Sequence, residues 1–271
     1  MIDDYMKSNQ VHWDELVGVH ARSEDYDLEG FKSGKRRLHS IERAELADVA
    51  GKSLLHLQCH FGLDTLSWAS LGAKVTGIDF SSEAIELARS LSKELGIAAE
   101  FVCSNIYDLP SALAGEFDIV FTSYGAICWL PDLRPWGEII ARFLKPGGTF
   151  YMVEGHPFMW VFDDHSPDLS VRYPYSSAPS EAIKDETQGS YADESAILTH
   201  PTSYGWNHSM GDILNVLTTP GLHIEFLHEF NFSAWKCFPD MEEIEGGYFR
   251  LKDPEKARIV PLLFSLKATK R

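Results

Sequence analysis

The stretch Ser53-Leu-Leu-His-Leu-Gln-Cys-His-Phe-Gly62, with Asp79 closing Val75-Thr-Gly-Ile-Asp79 seventeen positions after Gly62, restricts the fold more than any other part of the chain. An apolar run, a tight loop, a helix-length segment and a second apolar run ended by a carboxylate form the front half of a nucleoside-binding α/β unit. Leu54 to Leu57 predicts strand one. Leu63 to Leu71 predicts the first helix, stopped by Gly72 where a left-handed residue is tolerated, and Lys74 to Ile78 predicts strand two. A second helix follows over Ser82 to Leu95, with Ser81 or Ser82 as N-cap and Gly96 after its end. Glu100 to Cys103 reads as strand three and Phe117 to Thr122 as strand four. A helix opened by Pro131-Asp-Leu runs to Leu144, Lys145-Pro-Gly-Gly148 stops it, and Thr149 to Glu154 is strand five. Such alternation specifies an α/β fold with a doubly wound, mostly parallel sheet and helices on both faces.

On either side of this unit the pattern changes. Residues 1 to 50 are polar, with Trp13, Tyr26 and Phe31 among acidic residues and an amphipathic stretch from Leu38 to Val49. They predict an N-terminal helical cap of two or three helices. It either packs on the sheet edge or closes over a ligand as a lid, with Lys32-Ser-Gly34 as the hinge in the second case. Residues 155 to 205 carry many Pro, Ser, Asp, Glu and Tyr with little helical period, which predicts an insertion of loops and short antiparallel strands after strand five. A helix over Trp206 to Leu217, a strand over Leu222 to Phe230 and a last, antiparallel strand over Ile259 to Ala268 complete a seven-stranded sheet. The expected division is 1–50 as cap, 51–154 with 206–271 as the nucleoside-binding domain, and 155–205 as the insertion.

A net charge of −16 opposes any sequence-independent grip on a phosphate backbone, so nucleic acid is not the expected partner. No apolar run approaches the roughly 20 residues that cross a bilayer. Met1-Ile-Asp-Asp4 lacks the basic start of a signal peptide, so no membrane partner and a cytoplasmic location are expected. Cys59, Cys103, Cys128 and Cys237 form no C-x-x-C pair and read as buried thiols rather than as a zinc site or disulfides. Asp163-Asp-His165 is a fragment of a metal site without further clustered ligands, and no metal is expected.

An Asp at the carboxyl end of strand two can accept from both vicinal hydroxyls of a ribose, and Asp79 stands there. The loop after strand one offers backbone N–H groups and a helix N-terminus, which in dinucleotide enzymes receive a pyrophosphate. That use needs G-x-G-x-x-G, and this chain has Gln58-Cys-His-Phe-Gly62-Leu63. Glycine is missing where a phosphate would press closest, so a nucleoside without phosphates fits better.

With these residues in view, positions 54 to 148 resemble a class I S-adenosylmethionine-dependent methyltransferase. The family's first motif, roughly V-L-D-x-G-C-G-x-G, is met by Leu54-Leu-His-Leu-Gln-Cys-His-Phe-Gly62. Its second strand ends in Asp, as in Ile78-Asp79, and its L-K-P-G-G is Leu144-Lys-Pro-Gly-Gly148. The resemblance implies S-adenosyl-L-methionine as cofactor and a small-molecule acceptor methylated on O or N. His56 takes the place of the family's strand-one acid, and Gln58 and His60 replace two loop glycines. Either their backbone needs no positive φ and the side chains point away, or the loop is reshaped. With Cys59 and Gly62 they make up the implied cofactor loop. By the same resemblance Asn105 meets the adenine amino group, accepting with its amide oxygen and donating to the neighbouring ring nitrogen. Ile106 and Phe80 pack on the two adenine faces unless they are core residues, and Ser123 and Tyr124 lie by the methionine part. The run Tyr124 to Trp129 is aromatic and apolar, which suits a sulfonium, with core packing as the alternative for Trp129.

Methyl transfer is an in-line displacement that gains mostly from alignment in a dry site. A base helps when the acceptor is a hydroxyl or a protonated amine, and His suits that role near neutral pH. His156, after strand five in Glu154-Gly-His-Pro157, and His208, at the start of the helix after the insertion, are the candidate bases; structural hydrogen bonding is the alternative for each. The insertion supplies Trp160, Phe162, Tyr173, Tyr175, Tyr191, Tyr204 and many carboxylates. It is expected to cap the pocket and select a small apolar or cationic acceptor, unless its charges form a solvated face. A monomer or homodimer is expected. Two other functions stay open: a nicotinamide-dependent oxidoreductase using the same Asp79, and a non-catalytic cofactor-binding protein.

Overall fold

In the computed structural model, which describes residues 2–271, five strands form the parallel part of the main sheet. They are Ser53–Leu57 (β1), Lys74–Asp79 (β2), Ala99–Cys103 (β3), Phe117–Ser123 (β4) and Leu144–Gly155 (β5). Ile183–Asp185 (β6), Ser203–Gly205 (β7), Leu222–Phe230 (β8), Met241–Ile244 (β9), Tyr248–Leu251 (β10) and Leu263–Lys270 (β11) follow. The seven-stranded sheet runs β3-β2-β1-β4-β5-β11-β8, with β11 antiparallel to both of its neighbours. The expected doubly wound sheet with one antiparallel strand is the observed one.

The helices are Ile2–His20 (α1), Leu28–Lys32 (α2), Ser40–Glu45 (α3), Leu63–Ser70 (α4), Ser82–Leu95 (α5), Leu109–Ala112 (α6), Leu133–Phe143 (α7), Met210–Thr218 (α8) and Pro254–Ile259 (α9). β1 is buried on both faces and mostly apolar because both are covered, as parallel strands require. Leu55 and Leu57 face a layer with Trp136, Ile140 and Ile213 of α7 and α8, while Leu54 packs with Trp68, Phe121 and Tyr151 on the other side. The order reverses between β1 and β4, so their chains leave in opposite directions and open a crevice at the carboxyl edge.

Gly62 is fixed at the mouth of that crevice for two reasons. It caps α4 with φ 77°, and a Cβ there would lie 2.7 Å from the Phe101 ring and 3.2 Å from the Ala88 Cβ. Gly62→Ala therefore combines left-handed strain with overpacking and is expected to destabilise the fold by about 2–4 kcal/mol. A urea titration checks this, and an unchanged midpoint would contradict it.

Several boundaries differ from expectation. Lys145 to Gly148 does not precede strand five but lies within β5. Leu144 already pairs with Phe117, the glycine turn bulges outward with Gly147 at φ 76°, and Thr149 resumes pairing opposite Ile119. The helix expected from Trp206 starts at Met210, because Ser209 and Asp212 form a capping box there. Trp206, Asn207 and His208 are buried in the connection before it. Ile259 ends α9 rather than opening the last strand. The β9–β10 hairpin was not anticipated. Of the four cysteines only Cys59 is buried, and Cys103 is exposed.

The N-terminal region forms three helices, and α1 lies across the carboxyl edge. The Asn9 amide pairs with the Tyr204 backbone as a strand would, with Nδ2 donating to its C=O at 2.8 Å and Oδ1 accepting from its N–H at 2.8 Å. Gln10 Nε2 donates to Phe80 O, and Asp14 Oδ1 accepts from Ser81 Oγ. Among the described residues no helix is long and apolar enough to cross a membrane.

Candidate active site

The crevice holds a cavity of about 700 Å³ counted to its solvent opening. Gln58, His60, Asp79, Phe80, Asn105, Ile106, Ser123 and Tyr124 line it from the sheet side. Met6 and Trp13 of α1, Tyr26, Trp129, Leu130 and, from the insertion, Tyr191 complete the wall. No Lys or Arg lines it among the described residues.

Three residues assigned to the cofactor loop do not reach the cavity. His56 is buried beneath it, Nδ1 bonded to Thr65 Oγ1 at 2.8 Å and Nε2 to Ser123 Oγ at 3.2 Å. Burial pushes its pKa down to about 3, so a neutral ring orients Ser123 instead of facing a ligand. Cys59 is packed under Gly77, where a Cβ would stand 2.8 Å from its sulfur. Gly62 serves as the α4 cap.

The loop keeps a glycine-like backbone without the glycines. Gln58 has φ 55° and His60 φ 50°, which rules out the alternative in which these positions do without positive φ. Each costs on the order of 1–2 kcal/mol, so the surroundings must hold them. Cys59 N–H donates to Ile78 O and His60 N–H to Asp79 Oδ2, each at 2.8 Å. Gln58 Nε2 donates to Ala126 O at 2.7 Å, and His60 Nε2 meets His20 Nδ1 at 2.9 Å. Gln58 Oε1 is buried and has no partner.

The loop after β4 that receives Gln58 is itself built on a carboxylate. Glu154, buried in β5, accepts from the N–H groups of Gly125, Ala126 at 2.7 Å, Ile127 at 3.3 Å and Gly155 at 2.7 Å. Burial raises its pKa against the lowering effect of these donors.

Asp79 is 7% exposed. Its Oδ2 accepts from His60 N–H and its Oδ1 from Ser81 N–H at 2.9 Å, and burial pushes its pKa up to about 6. A carboxylate has about four acceptor sites, so two remain for hydroxyl donors. Asn105 Oδ1 accepts from Tyr107 N–H at 3.0 Å, capping a 3₁₀ turn. That spends one lone pair of the oxygen expected to meet the adenine amine, and Nδ2 remains to donate. Tyr124 has φ 26°, and its hydroxyl donates to Glu42 Oε2 of α3 at 2.8 Å. Burial and the nearby Asp64 hold Glu42 at about 7.

The two expected bases lie outside the cavity. His156 uses both ring nitrogens, Nε2 with Glu229 Oε1 at 2.8 Å and Nδ1 accepting from Phe158 N–H at 3.0 Å, and ties the end of β5 to β8. His208 is buried with Nε2 on Leu130 O at 2.8 Å. Of Asp163-Asp-His165, Asp163 pairs with Arg172. Sequence reasoning missed Met6, Trp13, Tyr26 and Leu130 as cavity residues. Only the odd placement of Trp13 and Tyr26 among charges hinted at two of them. Above the loop they build an aromatic roof, with Trp13 edge-on to Trp129 at 5.2 Å and to His60 at 5.3 Å, and the Tyr26 and Tyr191 hydroxyls 2.5 Å apart.

A crevice at the β1/β4 switch point, a strand-two carboxylate and an amide after β3 define a nucleoside-binding α/β domain. Residues 55–152 match the methyltransferase domain family. The chain is 29% identical over 154 residues to a ubiquinone biosynthesis O-methyltransferase of Escherichia coli O7:K1 (strain IAI39 / ExPEC), covering 55% of this chain and 64% of that protein. It is 32% identical over 155 residues to the protein of that name from Xanthomonas axonopodis pv. citri (strain 306), covering 55% and 63%. The alignments thus span less than two thirds of these relatives. Among solved structures, an S-adenosylmethionine dependent methyltransferase from Mesorhizobium loti superposes with TM-score 0.55 at 20% identity, over 85% of this chain and 96% of that one. The glycopeptide N-methyltransferase MtfA complexed with (S)-adenosyl-L-methionine does so with TM-score 0.54 at 14% identity, over 85% and 92%. The fold is that of the class I S-adenosylmethionine-dependent methyltransferases, and residues 55–152 match the methyltransferase domain family.

Proposed function

We propose that the chain is a methyltransferase that uses S-adenosyl-L-methionine to methylate a hydroxyl of a small, uncharged acceptor. The observation that carries the cofactor is the unpartnered, buried Gln58 Oε1 on the cavity wall. Its amide cannot turn, because Nε2 is held by Ala126 O, so a ligand must bring the donor. The ammonium of a methionine moiety is such a donor. Asp79 would take the ribose hydroxyls, Asn105 Nδ2 an adenine ring nitrogen, and Ile106 and Phe80 the adenine faces. When bound, the cofactor supplies a sulfonium methyl whose S–C bonding pair stays with sulfur.

The chain's part is to bind, align and exclude water. The aromatic roof of α1, Tyr26 and Tyr191 supports reading 1–50 and 155–205 together as the cover of the site. A wall without Lys or Arg disfavours a carboxylate or phosphate acceptor. The names of the relatives support oxygen as the methylated atom. The same reading has the enzyme act in the cytoplasm, as monomer or homodimer, and the charge of −16 disfavours nucleic acid as substrate.

Isothermal titration tests it. S-adenosylmethionine and its demethylated product S-adenosylhomocysteine are expected to bind with micromolar affinity, and NAD to bind at least about 100-fold more weakly, because Gln58 and His60 stand where a pyrophosphate needs glycine. Binding of NAD alone would replace this reading with the oxidoreductase one.

A further inference from the structure

His20 is fully buried at the end of α1 and touches the other two parts of the site through its two ring nitrogens. Nδ1 meets Nε2 of His60 in the cofactor loop at 2.9 Å, and Nε2 meets Ser190 Oγ of the insertion at 2.7 Å. Ser190 Oγ also accepts from Ala192 N–H at 3.2 Å. His60 lines the cavity, and its Nδ1 makes no hydrogen bond within the described residues. One continuous chain of exchangeable protons therefore runs from the cavity wall through a buried ring to a half-buried serine.

We propose that His60 is the general base for a neutral hydroxyl acceptor and that His20 and Ser190 relay the proton outward. This rests on the methyltransferase reading above. In the working tautomer His60 Nε2–H donates to His20 Nδ1, and His20 Nε2–H donates to Ser190 Oγ. His60 Nδ1 then presents a lone pair to the cavity. As the acceptor oxygen uses one lone pair to form its bond to carbon, the electron pair of the breaking O–H bond stays on that oxygen. The proton goes to His60 Nδ1, the Nε2 proton passes to His20 Nδ1, the His20 Nε2 proton passes to Ser190 Oγ, and the serine proton leaves to water.

Burial explains why a relay is needed. It pushes His20 down to about 3 and His60 well below its usual range, so neither ring holds a second proton at neutral pH. A lone buried imidazole of that kind is a poor base, whereas one that hands its proton on carries no lasting charge. The groups facing the pair do not supply a compensating anion beside the rings. Tyr26 and Tyr191 share a hydroxyl contact over them, and Asp79 is turned to the His60 backbone N–H. Arg37 sits 5.4 Å from the Tyr26 ring centre, and His12 adds a further unfavourable interaction at His20.

The test compares wild type with His60→Asn, His20→Asn and Ser190→Ala. Asn tolerates the left-handed backbone at position 60. The first readout is ¹⁵N-imidazole NMR of the protein with S-adenosylhomocysteine bound. Both rings are expected neutral and protonated on Nε2, and a proton on His60 Nδ1 would overturn the assignment. The second is turnover of phenols and catechols of graded hydroxyl acidity with radiolabelled S-adenosylmethionine. Loss of the base is expected to lower kcat about 100-fold for the least acidic phenol and only a few-fold for a nitrocatechol that is already ionised. His20→Asn and Ser190→Ala should lose less in the same order. An equal loss across the panel, or none, overturns the proposal, as does a wild type that binds S-adenosylhomocysteine but methylates no member. If wild type binds no S-adenosylhomocysteine at all, the methyltransferase reading itself falls, which is a separate outcome.

Discussion

Alanine at Asp79 is expected to weaken S-adenosylhomocysteine binding about 100-fold or more, since two hydrogen bonds to an ionised carboxylate contribute about 3–6 kcal/mol and each 1.4 kcal/mol is a factor of ten. The effect carries a pH signature. Asp79 is held at about 6, so in wild type the ribose-binding anion is lost as pH falls through 6 and affinity drops with it. The alanine variant has no such slope. Stability changes in the opposite sense. A carboxyl whose folded pKa is raised from 3.8 to about 6 contributes stability that is present below 3.8 and lost as pH rises through 6. The loss is about 3 kcal/mol for a shift of this size. The unliganded wild type should therefore lose stability relative to Asp79→Ala between pH 4 and 7. Calorimetric titrations at pH 5, 6 and 7.5, with urea unfolding of both proteins, measure both trends. Equal affinities at pH 7.5 would remove Asp79 from the ribose site.

How much of this was legible in the sequence depends on whether the cause was local. Strands β1 to β4, α5 with its Ser81 cap and Gly96 stop, and the position of Asp79 follow from period, caps and turn residues, and they are found where those signals put them. Gln58 and His60 were visible as departures from glycine. What could not be read was that the backbone keeps positive φ there, because the partners that hold it, Ala126 O and His20, come from 68 and 40 residues away in the chain. His156 and His208 were plausible bases by their place on the carboxyl edge. A place in the sheet does not say which way a ring turns, and Glu229 and Leu130 O turned these away. The roof failed for the same reason. Trp13 and Tyr26 belong to a segment with weak periodicity, and long-range bonds such as those of Asn9 to β7, Gln10 to Phe80 O and Asp14 to Ser81 bring them over the cavity. The short β9–β10 strands carry no strict alternation, Met241-Glu-Glu-Ile244 being apolar only at its ends, so no period marked them.

Glu154→Ala is expected to be the most damaging single change outside the cofactor's own contacts. The carboxylate collects four backbone N–H groups, three of them from the consecutive residues Gly125, Ala126 and Ile127. Those three N–H groups point one way only because an anion sits at their focus. Removing it leaves several buried donors to a cavity that water fills only in part, at about 1–3 kcal/mol for each donor left unsatisfied. A net destabilisation of about 3–5 kcal/mol is expected, which lowers Tm by roughly 10 °C in a protein of this size. The damage should also reach the site. The loop's Ala126 O is the partner that fixes Gln58 Nε2 and so aims Oε1 at the ligand, and the adjoining Tyr124 and Ser123 line the cavity. Affinity for S-adenosylhomocysteine should therefore fall at least about tenfold even at a temperature where the variant is folded, the equivalent of one charge-assisted hydrogen bond. Glu154→Gln separates the two effects. Its amide oxygen can still accept from part of the nest while its NH₂ opposes the remaining N–H groups, so it should fall between wild type and alanine in both Tm and affinity. A glutamine variant with wild-type Tm would mean that the charge of Glu154 is dispensable. An alanine variant with lowered Tm but unchanged affinity would mean that Gln58 is held without the loop.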